Sequence, residues 1–372
     1  MDKPSRRQFV AGAGGTLTLA LSGCLGGLTS AEAEADADAA TTQEQAGRTV
    51  EGVPVATSQL PVEYDFEELR SQVQDGGPPK DGIPSIDDPS FWTADEADEE
   101  LDNRDVVFGL VRNGEVKAYP QRILVHHEIA NDVVGDEPVA ITYCPLTGTA
   151  MGFRRGAVEF GVSGNLVNNN LIMYDRATDS RWPQVLGTAI SGELEGESLR
   201  EFRLVWTRWE HWKAAHPDTE VLSEDTGHVR DYAPSGDPYG SYVPNRSGYY
   251  IQDRTLFPPL QDDDRFPGKH VVIGARTDAG AIAFEKDALR ESGVLSGAIG
   301  DLPYLAVYDR ELDTASVYRN PDDASFDYED GQAVADDGTS HDPADLPLER
   351  VYAFDAMWFA WSGFYPSTEV VQ

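Results

Sequence analysis

The chain is written twice. Residues 104–154 align on 269–319 at a constant offset of 165 without a gap, and 12 of the 51 positions are identical. Unrelated segments would share about three at ordinary residue frequencies. A second block aligns at an offset of 149: Leu199 falls on Leu348, Trp209 and Trp212 on Trp358 and Trp361, and Pro217, Thr219, Glu220 and Val221 on Pro366, Thr368, Glu369 and Val370. The fold must therefore be one supersecondary unit used twice. The units run over 104–222 and 269–371, joined by a linker at 223–268. Runs such as 106–111 and 139–143 read as strands, bounded by Asn113-Gly114 and Gly135-Asp136 turns that suit hairpins. Tryptophans three apart in 204–215 and 352–364 suit a helix face. The expected class is α+β, mostly antiparallel β with a few helices, in two tandem homologous units.

Duplication separates scaffold from chemistry. Positions shared by both copies serve the fold, and polar residues kept in one copy are candidates for function. His126, His127, Glu128, Asn131, Asp132 and Cys144 fall on Glu291, Ser292, Gly293, Ser296, Gly297 and Asp309 in the second copy. The polar stretch 165–184 lies where the second copy is shorter. The functional site is accordingly expected in the first unit.

The N-terminus reads as an address. Arg6 and Arg7 precede Phe9 and a short apolar run over 11–21, which matches a twin-arginine export signal and is too short to span a bilayer. The run ends Leu21-Ser22-Gly23-Cys24, which resembles a lipobox, so residues 1–23 are expected to be removed and Cys24 to carry lipid. The protein would then sit on the outer face of the cell membrane. Residues 24–80 form a lead-in, at first small, acidic and low in complexity, which suits a tether.

Acidic residues number 65 against 29 basic, a net charge of −36, and only six of the basic residues are lysine. That balance excludes a nucleic-acid partner, because phosphates would be repelled over most of the surface. It reads as a halophilic surface, adapted to molar salt where screening shrinks the Debye length to about 3 Å.

Several longer motifs stand out: 81–89 (DGIPSIDDP), 118–132, 143–148 (YCPLTG), 160–164 (FGVSG) and 173–176 (MYDR) with Trp182. Together they closely resemble the family of uncharacterised proteins called DUF3179, here a salt-adapted, haloarchaeal-type member, with the similarity running from residue 81 to the C-terminus. The resemblance implies no assigned reaction. Family members typically carry Cys-Pro-Leu-Cys-Gly, whereas Thr147 replaces the second cysteine here, so a Cys-x-x-Cys redox or metal pair is absent from this chain.

Three chemical readings remain open. His126 or His127 with Cys144 would form a metal site suited to copper or zinc, with Met151 or Glu128 as a further ligand. Cys144 could instead be a nucleophile with His126 or His127 as its base and Asn131 or Asp132 orienting the imidazole, which would make the protein an enzyme. In the third, Asn168, Asn170, Tyr174, Asp175, Arg176 and Trp182 line a cleft for a small polar solute. Against all three stands a buried, unreactive thiol, the usual fate of free cysteine.

Overall fold

The computed structural model describes residues 46–372. The expected signal segment 1–23, the expected lipid-attachment residue Cys24 and the first part of the expected tether lie outside the described residues. No helix among them is long and apolar enough to cross a membrane.

Antiparallel strands dominate the regular structure of the described chain, alongside six α-helices of at most seven residues. In the first segment, Val106–Arg112 and Glu115–Pro120 form a hairpin whose turn residues, Asn113 and Gly114, both have positive φ, as a tight two-residue turn requires. Val205–Arg208 pairs along the outer edge of this hairpin, and Glu220–Leu222 runs parallel to its other strand. Ile129–Val134, Glu137–Cys144 and Thr149–Arg154 make a second antiparallel sheet.

The second segment carries the same elements at the offsets read from the sequence. Val271–Thr277, Gly280–Glu285, Val294–Ile299, Leu302–Asp309 and Thr314–Arg319 each lie 165 residues beyond their counterparts, and helix Trp358–Phe364 and strand Glu369–Val371 lie 149 beyond theirs. Register is shared too: Gly109 pairs with Ala118 and Gly274 with Ala283. The segments differ where the lengths differ. In the first, Phe160–Val167, Asn170–Asp175 and Arg181–Pro183 form a sheet with Gln74–Asp75; in the second, Phe326–Glu329, Gln332–Ala335 and Ser340–His341 form a smaller one.

The stretches 204–215 and 352–364 are only half helical. Val205–Arg208 and Ala353–Met357 are strands, and the helices begin at Trp209 and Trp358. Trp206 is therefore a strand residue, and the remaining tryptophan pairs have a specific task. Trp212 lies flat on Gly109 and Trp361 on Gly274, so close that a Cβ on either glycine would sit 2.1 or 2.2 Å from the ring. Each indole N–H donates to a threonine at the start of the closing strand, Trp212 to Thr219 at 3.0 Å and Trp361 to Thr368 at 2.9 Å. One lock thus ties hairpin, helix and closing strand together in each segment.

The segments are not separate domains. One core cluster runs from Val53, Phe160 and Trp182 in the first part of the chain to Phe354, Trp358 and Trp361 in the last. The lead-in contributes as well: Gly47–Val50 pairs with Val53–Ala56, and Val55 and Leu69 are fully buried. The linker 223–268 sends Tyr249 and Tyr250 into the same core.

Because the indole leaves no room for a methyl, Gly109→Ala and Gly274→Ala should each lower stability by about 1–3 kcal/mol. Gly268→Ala, whose Cβ meets nothing nearer than 3.7 Å, should change it by no more than about 0.5 kcal/mol. Denaturant midpoints in molar salt measure all three; a neutral Gly274→Ala would refute the lock.

Candidate functional site

The first-segment residues are close in sequence, but their side chains are engaged separately. His127 is fully buried at the end of the turn after helix Gln121–Leu124. Its Nδ1 lies 2.7 Å from the Pro84 carbonyl and its Nε2 2.6 Å from the Tyr232 hydroxyl. A carbonyl can only accept, so Nδ1 carries the proton and Nε2 accepts from Tyr232. Burial pulls the His127 pKa down to about 4. A neutral ring with both nitrogens occupied is neither a metal ligand nor a base. His126 is half-buried, edge-on to Tyr232, with its Nε2 lacking a hydrogen bond; burial lowers its pKa too.

Cys144 is buried at the end of Glu137–Cys144. Its Sγ receives the Leu171 N–H at 3.4 Å and donates towards the Asn169 carbonyl at 3.5 Å. Burial, reinforced by the Glu128 charge, pushes the thiol up to about 11, so it stays protonated and unreactive at neutral pH. The proposed orienting residues turn elsewhere. Asp132 binds Lys117 and the Tyr119 hydroxyl, and Asn131 binds Asp87 and the Phe160 backbone. No Cys–His–Asn or Cys–His–Asp arrangement is assembled, and His126, His127 and Cys144 do not form one of the metal-sized clusters among the described residues.

The expected solute cleft is also filled. Asn168 binds the Ala360 carbonyl and the Leu260 N–H, which stitches the hairpin turn to the second segment. Asn170 bonds Thr147, Gln184 and Val185. Asp175 accepts from Trp182 at 3.0 Å and from Thr178, while Tyr174 donates to Asp81 at 2.6 Å. Arg176 reaches Asp87, Glu159 and Ser85. All six bond protein atoms, five of them are buried and Arg176 is exposed, and none lines the cavity between the segments and the linker.

Glu128 is the exception. It holds a left-handed φ of 59° where the second segment has Gly293 at 78°, a backbone position that costs a non-glycine residue about 1 kcal/mol or more. Its side chain is 6% exposed, and burial, with no hydrogen bond to offset it, raises its carboxyl to about 8.

A cavity of about 580 Å³ opens between the segments and the linker. The first segment contributes Trp206, Thr207 and Arg208 from its edge strand, and the linker contributes Tyr242, Arg246 and Tyr250. The second contributes His270, Lys286, Asp287, Arg290, Asp313 and Asp355. Six of the lining residues are lysine or arginine and four are aspartate, an inversion of the whole-chain balance. Part of that charge is already spent: Lys286 and Asp355 pair at 2.5 Å with both side chains more than nine-tenths buried. Arg290 forks onto Asp313 at 2.8 Å. Burial alone would raise Asp313, but the Arg290 hydrogen bonds hold it well below the usual carboxylate range. Lys269 donates to the Tyr249 and Arg254 carbonyls, and burial lowers its pKa to about 8.

Sequence comparison of the two copies missed this cavity because it looked for polar residues peculiar to the first. Lysine scarcity was the signal that could have found it. Of the six lysines in the chain, Lys117, Lys269 and Lys286 are buried, and two of those three line the cavity. Lys80 and Lys213, by contrast, stay at the surface in ion pairs with Asp179 and Asp98.

A family model described as "Protein of unknown function (DUF3179)" matches residues 80–368, which covers both segments and agrees with the motif resemblance. No curated protein and no solved structure matches the chain.

The two perturbed neighbours give opposite pH signatures. Stability gained by keeping His127 neutral is present above pH 6.5 and is lost as pH falls towards about 4. Stability gained by keeping Glu128 neutral is full below pH 4.5 and is lost as pH rises towards about 8. Glu128→Gln should therefore remove the decline of the denaturant midpoint between pH 6.5 and about 8 and steepen the rise below pH 6.5, where the two contributions oppose each other. An unchanged alkaline limb would show that Glu128 is already ionised in the folded chain.

Proposed function

The chain belongs to the DUF3179 family of proteins of unknown function, and from that starting point we propose that it is an extracytoplasmic binding protein held to the membrane by lipid on Cys24. It would capture a small carboxylate-bearing solute in the cavity between its segments, which we take to be copies of one duplicated unit. The observation that carries this reading is the concentration of cationic side chains at one concave site in a chain of net charge −36. In molar salt, charges separated by more than about 3 Å are screened. Recognition of an anion then rests on contact-range pairs inside a partly dehydrated pocket, where Arg246 and Lys269 can act as charge-assisted donors. Trp206, Tyr242 and Tyr250 supply the apolar wall typical of small-solute sites.

The enzyme reading centred on Cys144 is less favoured, because that thiol is absent from the cavity lining and is held in its neutral form. The export and anchoring part rests on Arg6, Arg7 and the Leu21–Cys24 sequence.

Calorimetric titration of a panel of mono- and dicarboxylates in molar potassium chloride tests the cavity. Arg246→Gln should weaken the best ligand roughly tenfold, the loss of about 1.4 kcal/mol, while Arg176→Gln should leave it unchanged. The converse pattern would return the site to the first-segment network, and failure of every carboxylate to bind would sink the solute reading. Cys24→Ser should move the protein from the membrane pellet to the medium; retention on membranes would refute the lipid anchor.

A further inference from the structure

We propose that His270, Glu285 and Asp287 bind one divalent transition-metal ion, with zinc as the representative probe, on the second-segment wall of the cavity. Their ligand atoms lie within 4.8 Å of one another. His270 and Asp287 face the cavity, so positions on the ion not filled by protein would open towards it, as in sites that take an exogenous ligand.

The contact between His270 and Glu285 is the informative one. Nε2 lies 2.8 Å from the glutamate Oε1, yet that nitrogen makes no hydrogen bond of acceptable direction. Two polar atoms that close, with no proton directed between them, are placed like neighbouring ligands on a common ion. Ligands about 2.1 Å from a tetrahedral zinc lie roughly 3.4 Å apart, so the two atoms would separate by about half an ångström to seat an ion between them. The mixture of imidazole and carboxylate favours zinc or a related first-row ion over calcium or magnesium, which take oxygen ligands.

Each ligand sits on a fixed element. His270 immediately precedes strand Val271–Thr277 and stacks on Phe266 with ring centroids 5.0 Å apart and planes 15° from parallel. Glu285 ends strand Gly280–Glu285 opposite Val272, and Asp287 lies in the first turn of Lys286–Ser292. The neighbouring cations leave the site net negative. Lys286 is taken by Asp355, and Arg290, although it touches Asp287 at 2.7 Å, spends two of its bonds on Asp313. The corresponding positions in the first segment are Asp105, Pro120 and Arg122, which lack the ligand set. The site therefore belongs to the second segment.

The metal site stands without the solute reading, although an ion there would add positive charge to a cavity meant for carboxylates. It is tested with zinc alone. Full-length protein stripped with chelator and titrated with zinc in molar potassium chloride should bind one ion per chain. His270→Ala and Glu285→Gln should each weaken binding by at least about a hundredfold, and Arg176→Gln should leave it unchanged. Absence of stoichiometric zinc, or equal binding by both ligand variants, would overturn the proposal. If a variant fails to fold, X-ray absorption of the zinc-loaded wild-type chain decides: an imidazole nitrogen in the first shell supports the site, and an oxygen-only shell refutes it.

Discussion

The buried ion pair between Arg276 and Glu201 is what makes one body of two segments. Arg276 lies near the end of strand Val271–Thr277 and reaches across the seam to the Glu201 carboxylate and the Val185 carbonyl, while Tyr365 from its own segment braces it at 2.5 Å. Neither ionic side chain is more than 2% exposed. Desolvating two charges is costly, and their attraction is helped to offset the cost by the hydrogen bonds from the guanidinium to the Val185 carbonyl and the Tyr365 hydroxyl, although its buried Nε has no partner. Removal of one partner from such a pair typically costs about 3–5 kcal/mol, since the other charge is left stranded. Arg203 crosses the seam in the opposite direction to Thr314 and the Ala315 carbonyl, and the Met357 N–H closes on the Thr147 carbonyl at 3.0 Å. The apolar core is continuous on either side of these contacts, and the cavity is the mouth the seam leaves open.

Much of the scaffold was legible because repetition acts as an internal alignment. Identity at Gly109 and Gly274, at Trp212 and Trp361, and at Thr219 and Thr368 marks those positions as scaffold, while the packing of indole on glycine and its bond to threonine is visible only in the fold. Strand starts at Val106 and Val271 follow from the same offset. Less legible was the strand that precedes each closing helix, because Trp206 falls in phase with the helical tryptophans at 209 and 212. A spacing of three cannot say where a strand hands over to a helix. The site was legible only in part. Asn168, Asn170 and Asp175 are polar, clustered and peculiar to the first segment, as ligand-binding residues would be. They instead bond backbone and neighbouring side chains in the interior, and residue type does not separate an open cleft from a satisfied buried network.

Much of the specificity sits in buried polar contacts. Surface pairs such as Lys80 with Asp179 contribute little. Pairs excluded from solvent keep their strength: Lys117 with Asp132, Lys286 with Asp355, and Arg276 with Glu201. Each also fixes a register, since a slip of one strand residue would strand a charge in the core. Glu128 shows the complementary device. Next to a thiol held neutral, a carboxyl held neutral lets a polar turn sit inside the core without an unpaired charge.

A fold that carries the same elements twice constrains where new chemistry can arise. Each segment needs its own glycine–tryptophan–threonine lock, so substitutions there destabilise whichever segment receives them. Surfaces that meet across the seam are under no such symmetry. Arg276 corresponds to Val111 by the first offset, and Glu201 to Arg350 by the second, so the residues that join the segments are those in which the segments differ. The cavity wall follows the same logic: His270, Lys286 and Asp287 replace Asp105, Gln121 and Arg122, while Trp206 and Arg208 stand where the second segment has Asp355 and Met357. Residues that differ between the segments line one space from both sides. A search for function that asks only which copy kept its polar residues looks within the units, whereas the physical freedom to change lies between them.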